Sequence, residues 1–172
     1  MFQSLTLKHK LLILSGLPLF IALLFSFFLI KDTNNAQNNA ADISSLMKLA
    51  VINSEFVHEL QKERGLTAGF IGSGGSNTFK QKLNTQRQQT NTLKTSKLAT
   101  NKALTELISQ VGLLETQATN YSLIEQITAI RQKVDSQTIS LADALSFYTN
   151  LNASLLQVIS TIAEISQSPD IK

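Results

Sequence analysis

Cysteine and tryptophan are absent from the sequence, and proline and histidine occur only twice each. Without cysteine the chain has no disulfide, no thiolate metal ligand and no cysteine nucleophile, and its redox compartment cannot be inferred. His9 and His58 stand alone and form no HExxH motif, so we expect no metal site. No serine lies in a GxSxG or SxxK motif, and no acid is paired with a base or nucleophile. The sequence therefore predicts neither an enzyme nor a cofactor.

Charged residues are also scarce, at 16% of the chain. Three of the 15 basic residues precede residue 32, which leaves 12 Lys and Arg against 12 Asp and Glu in the rest. The sequence pI of about 9.2 thus reflects the N-terminal flank. No basic patch interleaved with aromatic residues remains, so we expect no nucleic-acid partner.

One long apolar run is present, "LLILSGLPLFIALLFSFFLI", residues 11–30. It holds 20 residues without a charge. At about 1.5 Å per residue, a helix of that length crosses the hydrocarbon core of a bilayer. A cleaved signal peptide is the alternative. The run is longer than a usual signal-peptide core and lacks a small-x-small cleavage site at its end, which favours an uncleaved anchor.

The charges that flank this run predict its orientation. Lys8 and Lys10 precede the run, whereas Lys31 is followed at once by Asp32. The excess of positive charge on the N-terminal side places that end inside the cell. The predicted organisation is a cytoplasmic tail over 1–10, a transmembrane signal anchor over 11–30 and an extracytoplasmic domain over 31–172.

The extracytoplasmic part is predicted to be all-α, because proline is absent between Pro18 and Pro169 and alternating β-branched patterns are rare. We expect an antiparallel bundle of about four helices. The first continues from the span, after fraying at "DTNNAQNNAAD", to about Ile71. The glycines of "GSGGS" end it. The predicted later helices run from a cap at Ser76 or Asn77 to about Val111, from a cap at Asn120 or Ser122, and from Leu141 to about Ser166; Ser140 and Asp143 resemble a capping box.

A seam of the first helix carries an unexpected charge. The seam has steps of three and four residues and comprises Ile43, Leu46, Ala50, Asn53, Val57, Leu60, Arg64, Thr67 and Ile71. An arginine that faces a bundle core is costly unless paired, and its planar fork of donors suits planar oxyanions. Arg131 lies four residues after Ile127 and can border the same interior. Two such arginines predict a small-anion pocket.

The alternative is that these arginines reach solvent or pair with carboxylates, as most arginines on bundle helices do. By the same reasoning we expect Glu63 to be a solvated or interface charge and His58 to be a surface histidine. Tyr148 is expected to be a core aromatic with its hydroxyl at the rim.

The segment "HELQKERGLTAGFIGSGG" resembles the hallmark of the NIT domain, the nitrate- and nitrite-responsive sensor domain. The most specific part is Leu60-Gln61 followed by Glu63-Arg64-Gly65. A second similarity is the RxxxD spacing of Arg131 and Asp135 before a corner, which a tyrosine-bearing helix follows. The resemblance extends over about residues 50–170.

The resemblance implies an all-helical input domain of a bacterial inner-membrane receptor, especially a methyl-accepting chemotaxis protein, with residues 32–172 in the periplasm. The implied ligand is nitrate or nitrite held by arginines. Arg64 matches the anion-binding arginine, Gly65 would let a neighbouring helix approach, and the role of Arg131 follows from helix geometry.

Members of the family normally continue into a second helical half, a second span and a cytoplasmic output module. We therefore expect this chain to be an N-terminal fragment whose bundle is incomplete, and a homodimer formed through its first helix. The alternative function is a helical receptor or adaptor domain that acts through protein contacts and binds no small molecule.

Overall fold

A computed structural model describes residues 7–167, with the side chains of 9–13, 15, 35 and 36 excepted. This part of the chain consists of helices joined by short corners and contains no strand, which confirms the predicted all-α class. The helices are α1 (Leu7–Gly72), α2 (Asn77–Ala103), α3 (Thr105–Gln110), α4 (Leu114–Asp135) and α5 (Leu141–Gln167).

The contacts within the chain define two units, Met1–Asp42 and Ile43–Lys172. In the first, α1 contains an apolar stretch with a mean hydropathy of 1.7, none of it buried, which is long and apolar enough to cross a membrane. The predicted fraying at "DTNNAQNNAAD" is wrong, because α1 is helical throughout that segment. The segment has no glycine or proline, the two residue types that most oppose a helix.

Two predicted helix boundaries are also wrong. The second helix does not reach Val111: α2 ends at Ala103, Leu104 leaves the helical conformation with ψ at 16°, and the short α3 follows. The third helix begins at Leu114, well before the predicted caps at Asn120 and Ser122. The residues before Asn120 are helical, and the amides of Gln117 and Asn120 are buried in the bundle instead of capping a helix.

The remaining boundaries match the predictions to within one residue. α1 ends at Gly72, α2 follows Ser76 in the N-cap position, and α5 starts at Leu141. One bond of the predicted capping box is present: the Asp143 backbone N–H donates to Ser140 Oγ at 3.1 Å. The Asp143 carboxylate accepts from the Ser140 hydroxyl at 2.6 Å, and not from the Ser140 backbone N–H as in a full capping box.

Left-handed residues close the corners. At the end of α1 the N–H of Gly75 donates to the Phe70 carbonyl at 2.9 Å, and that of Gly74 donates to the Ile71 carbonyl at 3.0 Å. Gly74 has φ of 65°, as this helix-ending motif requires. The same bond pattern recurs after α3 and α4, with Gly112 and Gln137 as the left-handed residues.

The α1–α2 and α4–α5 corners touch each other. The Gln137 side chain fills the space that a Cβ on Gly75 would occupy. Gln137 itself has φ of 55°, a conformation that costs a non-glycine residue free energy. The contact therefore joins the two corners at one end of the bundle.

Side-chain pairs define the directions of the helices. Arg87 pairs with Asp135 and Asn101 with Gln117, so partners on α4 come earlier as α2 advances, and these helices are antiparallel. α1 and α5 are likewise antiparallel, because Tyr148 bonds to Glu63 whereas Val158 and Ile162 pack with Leu46 and Leu49. The bundle is thus up-and-down, as predicted.

Three apolar clusters are stacked along the bundle. The central cluster is built from α1, α4 and α5, and the other two lie toward its ends. The central cluster contains Phe56, Val57, Leu60, Ile124, Ile127, Phe147, Tyr148, Leu151 and Leu155; one end cluster contains Leu46, Leu49, Leu107, Ile108, Leu113, Val158 and Ile162; the other contains Phe70, Leu83, Val134 and Ala144.

The two glycines at the end of α1 give a matched test of the corner. Gly74→Ala should lower the free energy of unfolding by about 1 kcal/mol, because alanine is strained at positive φ. Gly72→Ala should leave it unchanged or raise it, because Gly72 is helical and a Cβ there meets no atom within 4 Å. Thermal unfolding of the full chain in detergent, followed by circular dichroism, measures both. Equal effects of the two substitutions would contradict the assigned corner.

Candidate functional site

Glu63 is the buried charge of α1, with none of its side chain exposed. It lies three residues after Leu60 and four before Thr67, and both of these are buried as well. At 3.6 residues per turn this spacing puts the three on one face of the helix. The expectation that Glu63 is a solvated or interface charge is therefore wrong, because its side chain lies inside the bundle.

Three donors from two other helices satisfy the Glu63 carboxylate. Arg131 of α4 donates from Nε and Nη2 to the two carboxylate oxygens, each at 2.7 Å. Tyr148 of α5 donates its hydroxyl to Oε1 at 2.8 Å. Arg131 also donates from Nη1 to Asn91 Oδ1 on α2, at 2.7 Å. All four long helices of the bundle thus meet at one carboxylate.

Arg87 adds a second ion pair at the same level. Its Nη1 lies 2.8 Å and 2.9 Å from the two oxygens of Asp135, whose side chain is half exposed. Its Nε lies 3.8 Å from Glu63 Oε1, too far for a hydrogen bond. We call Glu63, Arg87, Arg131, Asp135 and Tyr148 the charge cluster. Its two arginines and two carboxylates neutralise each other.

Burial and charge shift two pKa values within the charge cluster. Desolvation raises the pKa of the Tyr148 hydroxyl, and the neighbouring Glu63 carboxylate raises it further, so this hydroxyl remains a donor. Burial opposes the charge of Arg131, but the hydrogen bonds and the charge of Glu63 outweigh it and raise its pKa. The Arg131 guanidinium therefore stays charged in its buried position.

Arg64 does not point into the bundle. Its side chain is exposed and has no hydrogen bond or ion pair to any residue that the structure describes. The predicted inward position is wrong because the buried face of α1 passes through Glu63, and the next residue along a helix is turned by about 100°. Arg64 and Arg131 are therefore not brought together.

Gly65 is exposed, and a Cβ placed on it would meet no atom within 4 Å. It does not admit a neighbouring helix within the described bundle, contrary to the role that the resemblance implied. Gly69 has that role instead, because a Cβ there would collide with the ring of Phe79. The close contact of α1 and α2 near their corner thus depends on a glycine one turn later than expected.

Arg131 is brought into the interior as expected, but an inward acid neutralises it. The RxxxD spacing does not pair Arg131 with Asp135; Asp135 binds Arg87 instead. Arg87 was not identified from the sequence. The four-residue step from buried Leu83 to Arg87 was the available signal, and the polar run "TQRQQT" obscured it.

Lys97 of α2 is another buried charge, and it is fully enclosed. Its Nζ donates to Gln117 Oε1 over 3.4 Å, and Asn101 Nδ2 donates to the same oxygen at 2.8 Å. Within residues 7–167, no carboxylate lies in salt-bridge reach of Lys97. Burial accordingly lowers the pKa of Lys97 to about 8.

Clustered metal ligands are not found in the described part of the chain: no three His, Asp or Glu side chains come together there. Its polar interior contains the charge cluster, Lys97 with its amide partners, and further buried polar side chains, namely Asn53, Thr67, Gln86, Thr90, Asn120 and Asn152. Directed polar contacts of this kind hold helices in register.

Comparison with protein families identifies one match. Residues 55–172 fit the family model of nitrate and nitrite sensing, NIT. The matched residues start in α1 and include α2 to α5, which is more than half of the chain. The chain belongs to the NIT family. The resemblance to this family is thereby confirmed, and the matched domain is described as a sensing domain.

All members of the charge cluster lie inside the matched residues of the NIT domain, as do Arg64, Gly65 and Lys97. Comparison with curated proteins and with solved structures gave no match.

Glu63→Gln should lower the free energy of unfolding of the NIT domain by about 3 to 5 kcal/mol, because it leaves Arg131 buried without its counter-ion. Glu55→Gln is the matched control: the same change on the exposed side of α1 should cost less than about 0.5 kcal/mol. Denaturant unfolding of the full chain measures both. If the two variants unfold alike, Glu63 does not hold the bundle together.

Lys97 should make stability depend on pH in the alkaline range. The unfolded chain keeps the lysine proton up to about pH 10.5, whereas the folded chain releases it near pH 8. Between these values the unfolded state binds more protons, so the free energy of unfolding rises with pH, by about 3 kcal/mol in all. Below pH 8 both states are protonated and the cost of burial is fully present.

Lys97→Met should therefore raise the free energy of unfolding at neutral pH and remove its alkaline rise. Lys102→Met changes an exposed lysine of the same helix and should do neither. Denaturant unfolding at pH 7 and at pH 10 compares the variants. An alkaline rise that survives Lys97→Met would have to come from another group.

Proposed function

We propose that this NIT domain is the input domain of a bacterial transmembrane receptor of the chemoreceptor type. It binds nitrate or nitrite in the periplasm and passes the signal through the membrane helix to a cytoplasmic output module. In this proposal residues 1–10 are cytoplasmic, 11–30 cross the inner membrane and 31–172 are periplasmic. The exposed apolar side chains of α1, such as Phe20 and Phe25, support a lipid environment for that segment.

One observation supports Arg64 as the ligand contact: its guanidinium is exposed and meets no carboxylate among the described residues. A free guanidinium presents paired N–H donors that match two oxygens of a planar anion. Gly65 beside it has no side chain, so an anion can approach the helix closely. These features support Arg64 and Gly65 as ligand-binding residues.

Arg131 is less accessible to an anion than Arg64 is. To bind it through Nε and Nη2, nitrate would have to displace the Glu63 carboxylate from two bonds of 2.7 Å. It would also leave that carboxylate buried with fewer partners, which costs several kcal/mol. We therefore assign Arg131 to positioning α1 through Glu63, with direct contact to the anion only if Glu63 moves.

The second candidate function is a domain that acts through protein contacts alone. The neutrality of the charge cluster supports it, because buried ion pairs can fix helix register with no ligand involved. The two functions differ in one property, which is specific binding of a small oxyanion.

Isothermal titration of the full chain in detergent with potassium nitrate, potassium nitrite and potassium chloride tests this difference. We expect saturable binding of nitrate or nitrite and weaker binding of chloride. Arg64→Ala should weaken binding about tenfold or more, the loss of a charge-assisted hydrogen bond. Lys62→Ala removes an exposed cation two residues away and should leave binding unchanged.

If none of the salts binds saturably, the protein-contact function is favoured. If Lys62→Ala weakens binding as much as Arg64→Ala, the anion is held by general charge attraction, and Arg64 is not its site.

A further inference from the structure

Arg87 carries two buried donors that the charge cluster leaves unused. Its Nε and Nη2 are enclosed and have no hydrogen-bond partner among the described residues. These two nitrogens form one edge of the guanidinium, whereas the bond to Asp135 is made by Nη1. Buried donors of a charged group are costly when they lack an acceptor, so such an edge requires an explanation.

Arg131 presents the same edge to Glu63, and there it is filled. Its Nε and Nη2 each donate to the carboxylate at 2.7 Å. Arg87 Nε lies 3.8 Å from Glu63 Oε1, the same oxygen that Arg131 Nε binds. An approach of about 1 Å would bring Arg87 Nε into hydrogen-bond range. Two equivalent edges therefore flank one carboxylate, one of them filled and the other empty.

The third partner of Glu63 allows the carboxylate to change arginines. Tyr148 donates to Oε1 at 2.8 Å, and Oε1 is the oxygen nearest to Arg87. The carboxylate can turn about Oε1, so that Oε2 leaves Arg131 while the tyrosine bond persists. Glu63 then exchanges one arginine for another and is never buried without a counter-ion, which would cost several kcal/mol.

We propose that the Nε–Nη2 edge of Arg131 is a second binding position for a planar oxyanion, which opens when Glu63 passes from Arg131 to Arg87. This position rests on the function proposed above and extends it from exposed Arg64 into the bundle. As the cluster stands, Glu63 closes Arg131 to any anion. Arg87 is the positioning residue that takes Glu63 away.

The chemistry of the vacated edge defines the class of ligand. The ligand replaces a carboxylate, so it needs a negative charge and two oxygens in a plane that match two parallel N–H donors. Nitrate, nitrite and formate have this geometry. Chloride is a single atom and cannot accept the two bonds in the same way.

Access and charge are both compatible with an anion at Arg131. The Arg131 side chain is 12% exposed, and its Nη1 is bonded to exposed Asn91, so the guanidinium lies near the surface. After the exchange each buried arginine has one buried anion. Asp135, which shares Arg87, is half exposed and has water around its charge. The added negative charge is thus not buried without compensation.

The exchange also changes which helix holds α1. Glu63 belongs to α1, Arg131 to α4 and Arg87 to α2. Both arrangements depend on an arginine–carboxylate pair, so α1 has two discrete positions and not a continuous range. An anion that binds only in the second arrangement shifts the population toward it. Anion binding would in this way move α1 from α4 toward α2.

NMR can follow the exchange directly, because the chain has only three arginines, Arg64, Arg87 and Arg131. Proton–nitrogen spectra of the full chain in detergent, labelled in arginine, contain three Nε–H signals, which single substitutions to lysine assign. Saturating potassium nitrate should move the Arg87 proton signal downfield, because Nε gains a carboxylate acceptor. It should move the Arg131 signal upfield, because nitrate is a weaker acceptor than a carboxylate.

Potassium chloride at the same concentration is the control and should leave both signals in place. The proposal is overturned if nitrate moves the Arg64 signal and leaves that of Arg87 unchanged, or if chloride produces the same shifts.

Arg131→Gln tests the exchange without a ligand. Removal of the first arginine should send Glu63 to Arg87, so the Arg87 signal should move downfield with no anion present. Lys133→Gln removes an exposed cation of the same helix and should leave that signal in place. An unmoved Arg87 signal in folded Arg131→Gln would contradict the exchange. The titration of the unsubstituted chain decides the question if this variant does not fold.

Arg87→Lys connects the exchange to affinity. Lysine retains the charge and can reach Asp135, but it lacks the paired edge that Glu63 needs. Isothermal titration should therefore give nitrate binding that is weaker by about tenfold or more. Asp135→Asn leaves the edge of Arg87 intact and should not weaken nitrate binding. Equal weakening by both substitutions would show that Arg87 acts only through its bond to Asp135.

The outcomes separate this position from the proposed function. If nitrate moves the Arg64 signal alone, the proposed function stands and the position at Arg131 is refuted. If potassium formate moves the Arg87 and Arg131 signals whereas nitrate and nitrite move none, the position exists and the proposed function is refuted. If none of the three anions moves any signal, both are refuted.

Discussion

The bundle depends on the burial of one carboxylate. Glu63 is enclosed at the level where α1, α2, α4 and α5 meet, and its ion pair with Arg131 fixes their relative positions. Such a pair adds less stability than an apolar contact of the same size, but its hydrogen bonds have defined directions. Apolar clusters lie on both sides of the ion pair. Apolar contacts have no preferred direction, so by themselves they would allow the helices to shift along each other more easily than a bidentate ion pair does.

The buried cations of the NIT domain differ from exposed Arg64 in whether the protein itself provides their polar partners. Arg131 and Arg87 have carboxylate partners, and Lys97 is enclosed by amides. Arg64 differs because it is exposed and unpaired within the described residues. A sensor of a small anion needs a cation whose counter-ion can change, and a cation bound to a protein carboxylate is a poor choice for that purpose.

Much of the fold could be predicted from the sequence. The glycines predicted the end of α1, Ser140 predicted the start of α5, and the Glu-Arg-Gly segment predicted the family. The inward face of α1 could not be predicted to the residue. Phe56 and Val57 are both apolar, so a seam can be drawn through either of them, and the two seams lead to Glu63 and Arg64 respectively. The break at Leu104 was also missed. Leu104 is itself a helix-forming residue, and the left-handed Gly112 that ends α3 follows several residues later.

The contact between Gln137 and Gly75 has a consequence for how this domain can vary. Surface corners normally accept insertions, because little packs against them. Here the length of one corner is set by the other: a residue added between α1 and α2 would move Gly75 away from the Gln137 amide. The backbone of Gln137 is itself in the left-handed conformation, which is unfavourable for glutamine. The two corners should therefore change length together or not at all, although more than 60 residues of sequence separate them.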